Sequence, residues 1–371
     1  MKAYDLIIVG AGFAGLACAE TAARHNLRTL VLERKHDLGG HIQTTGLLVK
    51  EIADAWNVPQ RLTRKISGVR LYSPSLDWID LVSPGYCFLA TDTPALMRWQ
   101  LQQAEAAGAK ISLDSAYHAS RYVNGRHYLE KPDVRCRYLA GCDGARSRVA
   151  RTYHLGRNQQ FLIGVEALYE PLPDIDQDKL HVFLDSELAP GYIGWVVPGV
   201  HSTQVGLAAR FPVAPRLQDF MRKIAPLVNL HNHQPVSHRA GVIPCGGPVR
   251  NWSYENVMLL GDAAGMASPL TAGGIHPAVQ SGRLAGAAIA HYLEHGGVNP
   301  GVVLQDALPH MLFRKTLRSL YNRATVPNSL FDVLLKIPAF QVLAQTVFFH
   351  HRGLLSPAAW RDLIRIFNPL Q

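Results

Sequence analysis

YDLIIVGAGFAGLACAETAARHNLRTLVLE, residues 4–33, is the stretch whose reading decides the fold. Residues 4–9 are an apolar, strand-like run. Gly10, Gly12 and Gly15 then complete G-x-G-x-x-G, with Ala14 inside the pattern. Residues 16–25, rich in Ala, read as a helix, and residues 27–32 as a second strand closed by Glu33. Gly10 makes the tight turn, Gly12 lets the backbone approach a pyrophosphate, and Gly15 lets helix pack on strand. The helix start, with its free N–H groups, holds the phosphates. Glu33 is placed for both hydroxyls of an adenosine ribose, which favours FAD or NAD over NADP. A glycine pattern alone is weak, but here strand, turn, helix, strand and acid follow in order.

A second glycine-rich stretch lies far downstream, VMLLGDAAGMASPLTAGGIHPAVQSGRLAG at residues 257–286. It opens as a short buried strand, and Gly261 and Asp262 fall where that strand would end. Asp262 is suited to accept hydrogen bonds from a ribose or ribityl hydroxyl. Gly273 and Gly274 allow close approach to a flat ligand. They open a helix whose free N–H groups and dipole suit an electron-rich ring edge, such as a reduced flavin.

The chain has 371 residues, a length that suggests two domains. Its formal charge is +9, which fits nucleic acid, anionic lipid or an acidic ligand. No Lys/Arg run and no RNA-binding aromatic signature occurs, so nucleic acid is excluded. The five Cys (Cys18, Cys87, Cys136, Cys142 and Cys245) are odd in number and contain no C-x-x-C, which fits a reducing, cytoplasmic setting. Asp5 and the glycine fingerprint argue against a signal peptide. No uncharged apolar run is long enough to span a bilayer.

Along the chain, a basic loop from Arg34 through Gly40 and His41 follows the fingerprint, and residues 42–49 are set to lie across the cofactor. Residues 69–81 read as a hairpin around Pro74 and Ser75, residues 93–107 as a helix stopped by Gly108, and Asn124-Gly125 as a hairpin turn. From residue 161 to 210 the strands, one of them over residues 192–199, follow one another with no helix between, which predicts an antiparallel sheet, and residues 217–228 return to helix. The expected fold class is α/β. A Rossmann-type domain at 1–64, 88–160 and 245–300 is interrupted by an antiparallel-sheet substrate domain at 65–87 and 161–244. A helical C-terminal region covers 301–371. In that tail, basic residues alternate with apolar ones over 312–323. Residues 337–349 form an apolar helix before His350-His351-Arg352. It reads as a helical cap, or as a foot at the inner face of a membrane.

Three separated motifs line up: Gly10–Gly15 with Glu33; Gly141-Cys142-Asp143-Gly144-Ala145-Arg146-Ser147-Arg148-Val149; and Gly261-Asp262-Ala263-Ala264-Gly265 with Pro269 and Gly273-Gly274-Ile275. The set resembles the FAD-dependent oxidoreductases of the para-hydroxybenzoate hydroxylase fold. Within them the run from Ser268 to Ile275 is most similar to the geranylgeranyl reductase family. A second likeness to that family is Pro190-Gly191-Tyr192-Ile193-Gly194-Trp195-Val196-Val197-Pro198. The resemblance covers roughly the first 295 residues. It implies that Gly10, Gly12, Gly15 and Glu33 hold the adenosine diphosphate of FAD, with Ala14, Arg34 and Gly40 as further cofactor-binding candidates. It assigns Gly261 and Asp262 to the ribityl or diphosphate region, and Gly273, Gly274 and Ile275 to the isoalloxazine. It has Asp143 order the loop beside the cofactor. Tyr192, Trp195 and Pro269 would line the substrate side.

The sequence departs from the family in three places. An extra residue separates Tyr192 from Trp195, so one of them would turn away from the ligand. Where many relatives have an Arg at a helix start, this chain has Thr93, with Arg98 as a substitute. Residues 40–46 offer His41, Thr44 and Thr45 where some reductases carry a Cys.

The activity this implies is NAD(P)H-driven reduction of alkene bonds in a prenyl or other lipophilic substrate. FAD would be the cofactor and NADH or NADPH the electron donor. His41, His276 and Tyr192 are the candidate proton donors, and the His spacing shows no metal pair. An FAD-dependent monooxygenase acting on an aromatic or polyketide-type substrate, and a non-catalytic FAD-bearing partner protein, are the competing classes.

Overall fold

The structure, a computed structural model, describes residues 1–230, 232–307, 318–319 and 326–349. In chain order the elements are β1 (Lys2–Val9), α1 (Phe13–Arg24), β2 (Thr29–Leu32), β3 (Leu47–Leu48), α2 (Lys50–Trp56), β4 (Thr63–Ile66), β5 (Gly68–Tyr72), β6 (Trp78–Val82) and β7 (Phe88–Thr91). Next come α3 (Thr93–Ala106), β8 (Lys110–Ser112), β9 (Ser120–Val123), β10 (Arg126–Leu129), β11 (Val134–Gly141), α4 (Arg148–Thr152), β12 (Phe161–Tyr169), β13 (Lys179–Phe183), β14 (Gly194–Pro198) and β15 (Thr203–Arg210). The remainder are α5 (Leu217–Ile224), β16 (Ser237–Pro244), β17 (Ser253–Tyr254), β18 (Val257–Leu259), α6 (Ile275–His295), α7 (Pro300–Ala307), α8 (Asn328–Leu334) and α9 (Pro338–Phe349).

The described residues fall into two units. The first holds Met1–Thr44, Thr93–Leu162 and the residues from 242 to 319; the second holds Thr45–Asp92, Ile163–Gly241 and 326–349. Residues 45–64, placed with the dinucleotide domain on sequence, group with the second unit. The cause is strand pairing: β3 and β4 flank β7 in a three-stranded sheet. The tail is likewise divided, α7 going to the first unit and α8 and α9 to the second. The basic and apolar alternation at 312–323 lies outside the described residues except for Arg318, and His350-His351-Arg352 lies outside them entirely.

In the first unit a sheet runs β17-β18-β11-β1-β2-β8, with β10 and β9 added beside β11. β1 pairs in parallel with β11 and β2, and β18 with β11, so the chemistry-bearing strand ends all point one way. Leu6, Ile7 and Ile8 are fully buried because a parallel sheet is covered on both faces. α1 and α6 pack closely through small residues. A Cβ on Gly282 would stand 2.3 Å from Ala14 O, and one on Gly286 2.7 Å from Cys18 O. Both glycines sit one turn apart on α6, so the two backbones approach more closely than larger side chains allow.

The second unit is built on a sheet ordered β16-β12-β15-β14-β13-β5-β6. β13 with β14, β14 with β15, and β5 with β6 are antiparallel, as expected, but β13 pairs with β5 in parallel. One face carries Tyr72, Phe183, Val196, Val205 and Leu207, sealed by Phe220 and Ile224 of α5. α5 is shorter than the helix expected over 217–228, ending at Ile224. Asp185 ties this side together: its carboxylate accepts from the N–H groups of Glu187 and Leu188 at 2.9 Å, from Asn328 Nδ2 at 3.2 Å, and from Lys223 Nζ.

Candidate functional site

The strand ends of the first unit carry the glycine-rich turns. Gly10 has φ +101°, and its N–H donates to Leu32 O at 2.8 Å. A Cβ there would stand 2.4 Å from Cys142 O, so the loop needs glycine to pass over the end of β11. A Cβ on Gly15 would fall 1.9 Å from Gly10 O, which is how α1 packs against the turn. Gly12 is different: it is exposed, and a Cβ there would meet nothing within 4 Å. The first turn of α1 has no side-chain cap and no acidic residue. Its N–H groups and positive dipole end are therefore open to an anion over Gly12.

Glu33 is 8 % exposed at the end of β2. Its Oε2 accepts from Ala11 N–H at 2.8 Å and its Oε1 from Lys35 N–H at 2.9 Å. A carboxylate has about four acceptor positions, so each oxygen keeps a lone pair for a ribose hydroxyl. Arg34 beside it is exposed. The loop beyond is fixed by Arg98, which grips Asp37 through two bonds at 3.1 and 2.6 Å. That pairing, with the Gly39 N–H, holds the Asp37 carboxyl down to about 2. A Cβ on Gly39 would stand 2.3 Å from the guanidinium carbon of Arg98, while Gly40 is half-buried. Arg98 thus braces the loop that carries Gly40 and His41.

Asp143 follows β11. Its Oδ2 accepts from the N–H groups of Arg148 at 2.6 Å and Val149 at 3.2 Å, ordering the turn into α4. Its Oδ1 is buried and has no partner among the described residues. Gly261 follows β18 with φ +55°. A Cβ on it would lie 3.0 Å from Ala14 Cβ, so this turn meets the start of α1. Asp262 comes next in a short helical turn, and burial alone pushes its carboxyl up to about 6. A Cβ on Gly274, the residue capping α6, would stand 3.3 Å from Asp262 Oδ1. The acid therefore faces the uncapped start of α6, where Ile275 is buried and Gly273 exposed. Asn158 binds the two acidic loops together, its Nδ2 donating to Ala145 O at 3.1 Å and Asp262 O at 2.8 Å.

These features fit a dinucleotide with a hydroxylated chain: an open glycine face at an uncapped helix, a buried acid with spare acceptor positions, an orphaned carboxylate oxygen and a desolvated carboxyl without a counter-charge. The structure brings Gly10, Gly15, Asp143, Gly261, Asp262 and Gly274 to neighbouring turns of one unit. Pro269 is buried in the loop before Gly273, and His276 lies in the first turn of α6. His41 is exposed with φ +47°, and its carbonyl accepts from Lys35 Nζ.

In the second unit, Tyr192 lies outside the strand expected to begin with it. Its N–H donates to Ala189 O in a turn, and β14 starts at Gly194. Trp195 is within β14, directly opposite Gly206 of β15. Its indole Nε1–H donates to Glu166 Oε2 at 3.4 Å. Sequence reasoning missed Asn158 and Glu166. Glu166 had a visible signal, a lone acid inside the apolar run of β12, whereas Asn158 had none.

A domain family described as an NAD(P)-binding Rossmann-like domain matches residues 8–55. The chain is 31% identical over 318 residues to digeranylgeranylglycerophospholipid reductase 2 of Methanopyrus kandleri, covering 78% of each chain. It is 27% identical over 329 residues to digeranylgeranylglycerophospholipid reductase of Methanosarcina acetivorans, covering 80% of this chain and 77% of that one. A geranylgeranyl bacteriochlorophyll reductase-like protein from Thermoplasma acidophilum shares the fold, with a TM-score of 0.82, 21% identity, and coverage of 99% of this chain and 100% of that one.

Proposed function

The chain belongs to the geranylgeranyl reductase family of FAD-dependent oxidoreductases, and from that premise we propose that it reduces alkene bonds in a prenyl lipid of the glycerophospholipid type. The observation that carries the reading is the match to a digeranylgeranylglycerophospholipid reductase over 78% of both chains, a span that takes in both units.

In this reading the open face at Gly10, Gly12, Ala14 and Gly15 holds the diphosphate against the start of α1. Glu33 takes the adenosine ribose, flanked by Arg34 and Gly40. Asp143 Oδ1 and the Asp262 carboxylate accept from hydroxyls of the ribityl chain and steady the diphosphate region. Gly273, Gly274 and Ile275 present backbone N–H groups to the ring edge. Bound FAD supplies the two-electron chemistry, with NADH or NADPH as the proposed source of hydride. Saturating an alkene also consumes a proton, for which His41, His276 and Tyr192 are the proposed donors. Tyr192, Trp195 and Pro269 are the proposed substrate-lining residues.

Among the described residues, no single helix is long and apolar enough to cross a membrane, and α8 and α9 are bent by 97° at their junction. Leu330, Val333, Ile337 and Leu343 on this bent pair are exposed. We read them as a peripheral lipid contact of a protein working in the cytoplasm, where its free cysteines stay reduced.

The test is anaerobic turnover. Reduced enzyme mixed with a digeranylgeranyl glycerophospholipid without oxygen should return to the oxidised flavin spectrum as saturated lipid forms. Reoxidation that needs O₂ and yields a hydroxylated aromatic product would instead establish the monooxygenase class. Absence of any NADH or NADPH oxidation would point to the non-catalytic partner.

A further inference from the structure

Glu166 interrupts the apolar run of β12 and is 4 % exposed. A buried carboxylate is costly unless its oxygens are bonded. Its bonds are distributed unusually. Oε2 accepts from Thr45 Oγ1 at 3.1 Å and from Trp195 Nε1 at 3.4 Å, while Oε1 faces Arg239 Nη1 at 3.4 Å.

Trp195 is not on a strand next to β12. β15 lies between β12 and β14. The indole reaches across it because the residue it crosses is Gly206, its own register partner. A Cβ on Gly206 would stand 2.7 Å from indole Cε2 and Cζ2, and 2.7 Å from Glu166 Cβ. Glycine inside a strand weakens it and marks a close approach. Here it opens the channel through which ring and acid meet. Glu166, Gly206 and Trp195 form one lateral row over three strands. A simple ion pair between Glu166 and Arg239 would require neither the indole nor the glycine.

By strand alternation this row shares its face of the sheet with Val69, Leu71, Val182, Val197 and Ala208, all buried and all aliphatic. Gln204 of β15 is on the same face; its Oε1 is buried with no partner among the described residues. Arg239, which meets Glu166, and Arg210 at the end of β15 are the other polar side chains on this face, and the remaining positions are aliphatic, as a wall for a prenyl chain requires.

We propose that Glu166 is the positioning residue of the substrate wall. By holding the indole N–H of Trp195 over Gly206 and tying Thr45 to the sheet, it fixes the ring in one rotamer and so sets which prenyl chains this face admits. The proposal rests on the prenyl-lipid reading above. Glu166 touches no reacting atom in it; it acts through Trp195 and Thr45.

The experiment uses full-length, FAD-loaded protein and the variants Glu166→Gln, Glu166→Ala and Trp195→Phe. Glu166→Gln keeps an acceptor for the indole and keeps the volume, so it guards against a simple folding defect. The first readout needs no substrate. In the indole ¹⁵N–¹H spectrum, the Trp195 signal is identified by its loss in Trp195→Phe. It should move in Glu166→Gln and lose its protection from hydrogen exchange in Glu166→Ala.

The second readout is turnover of prenyl lipids of graded chain length. Losing a hydrogen bond to a charged group should raise KM by roughly tenfold or more in Glu166→Ala and leave kcat within about twofold, with preference between chain lengths flattened. Glu166→Gln should recover most of the KM, and Trp195→Phe combined with Glu166→Ala should be no worse than the worse single variant. A Trp195 signal unmoved in both Glu166 variants overturns the proposal. So does an unchanged KM and chain-length preference in Glu166→Ala. If the parent chain turns over no prenyl lipid, the reductase reading falls by itself, and the indole spectrum still decides whether the clamp exists.

Discussion

Asp262→Asn should stabilise the protein when FAD is absent and weaken it when FAD is present. The Asp262 carboxyl is pushed from 3.8 up to about 6 by burial alone, with no cation or donor offsetting it. A folded-state pKa above the unfolded one means that the folded protein holds its proton more tightly. The native state is therefore increasingly penalised as pH rises above the unfolded value. The penalty is absent below about pH 4, grows between about 4 and 6, and is full above 6. Two pKa units correspond to about 3 kcal/mol, an upper bound for a half-buried group; about 1–3 kcal/mol is the working range. Asn has similar volume and no charge, so it removes the penalty. At about 2–4 °C per kcal/mol, the Asn variant stripped of FAD should melt about 2–12 °C higher at pH 8 and within error of the parent at pH 4. With FAD bound the order should reverse, because in the proposed site ribityl hydroxyls would donate to the carboxylate, and a charged acceptor binds them more strongly than an amide. The assay is thermal unfolding of FAD-free and FAD-loaded protein at both pH values, beside flavin titration. An Asn variant without the pH-dependent gain, or one binding FAD as tightly as the parent, would refute the assignment.

Glu33→Ala should reduce FAD affinity by roughly 10–100-fold, the range expected for losing bonds to a buried charged acceptor, read by flavin fluorescence titration. Gly282→Val should cost about 3 kcal/mol or more, since its side chain meets Ala14 O, and urea unfolding should show it even without FAD. Asp185→Asn should lower stability by about 2–4 kcal/mol at neutral pH by stranding Lys223. The Asp185 carboxyl is held below its usual value despite burial, by Lys223, the Leu188 N–H and Asn328. Its contribution is therefore present above about pH 4 and lost as pH falls below that, so parent and variant midpoints should converge in acid.

The glycine fingerprint was legible because each glycine answers a local demand. Gly10 needs positive φ, and Gly15 has no room for a side chain against its own turn. The hairpin turn at Asn124 and Gly125 was legible for the same reason: both residues take positive φ. Chain breaks were less so. Residues 45–64 carry no marker that ties them to the second unit; only the pairing of β3 and β4 with β7 shows it. Tyr192 looked like the start of a strand, but backbone hydrogen bonding puts it in the preceding turn.

By itself the sequence determined the α/β class, the dinucleotide turn, the three-motif likeness and hence the family, since all of these rest on short-range spacing and on residue types that few backbones tolerate. The tertiary structure alone decided that Asn158 joins the Asp143 loop to Asp262, 104 residues away from it, and that Trp195 reaches past Gly206 to Glu166. Partners that distant in sequence leave no periodic trace, because side-chain hydrogen bonds across strands depend on register and ring direction, which are fixed only once the sheet has closed around them.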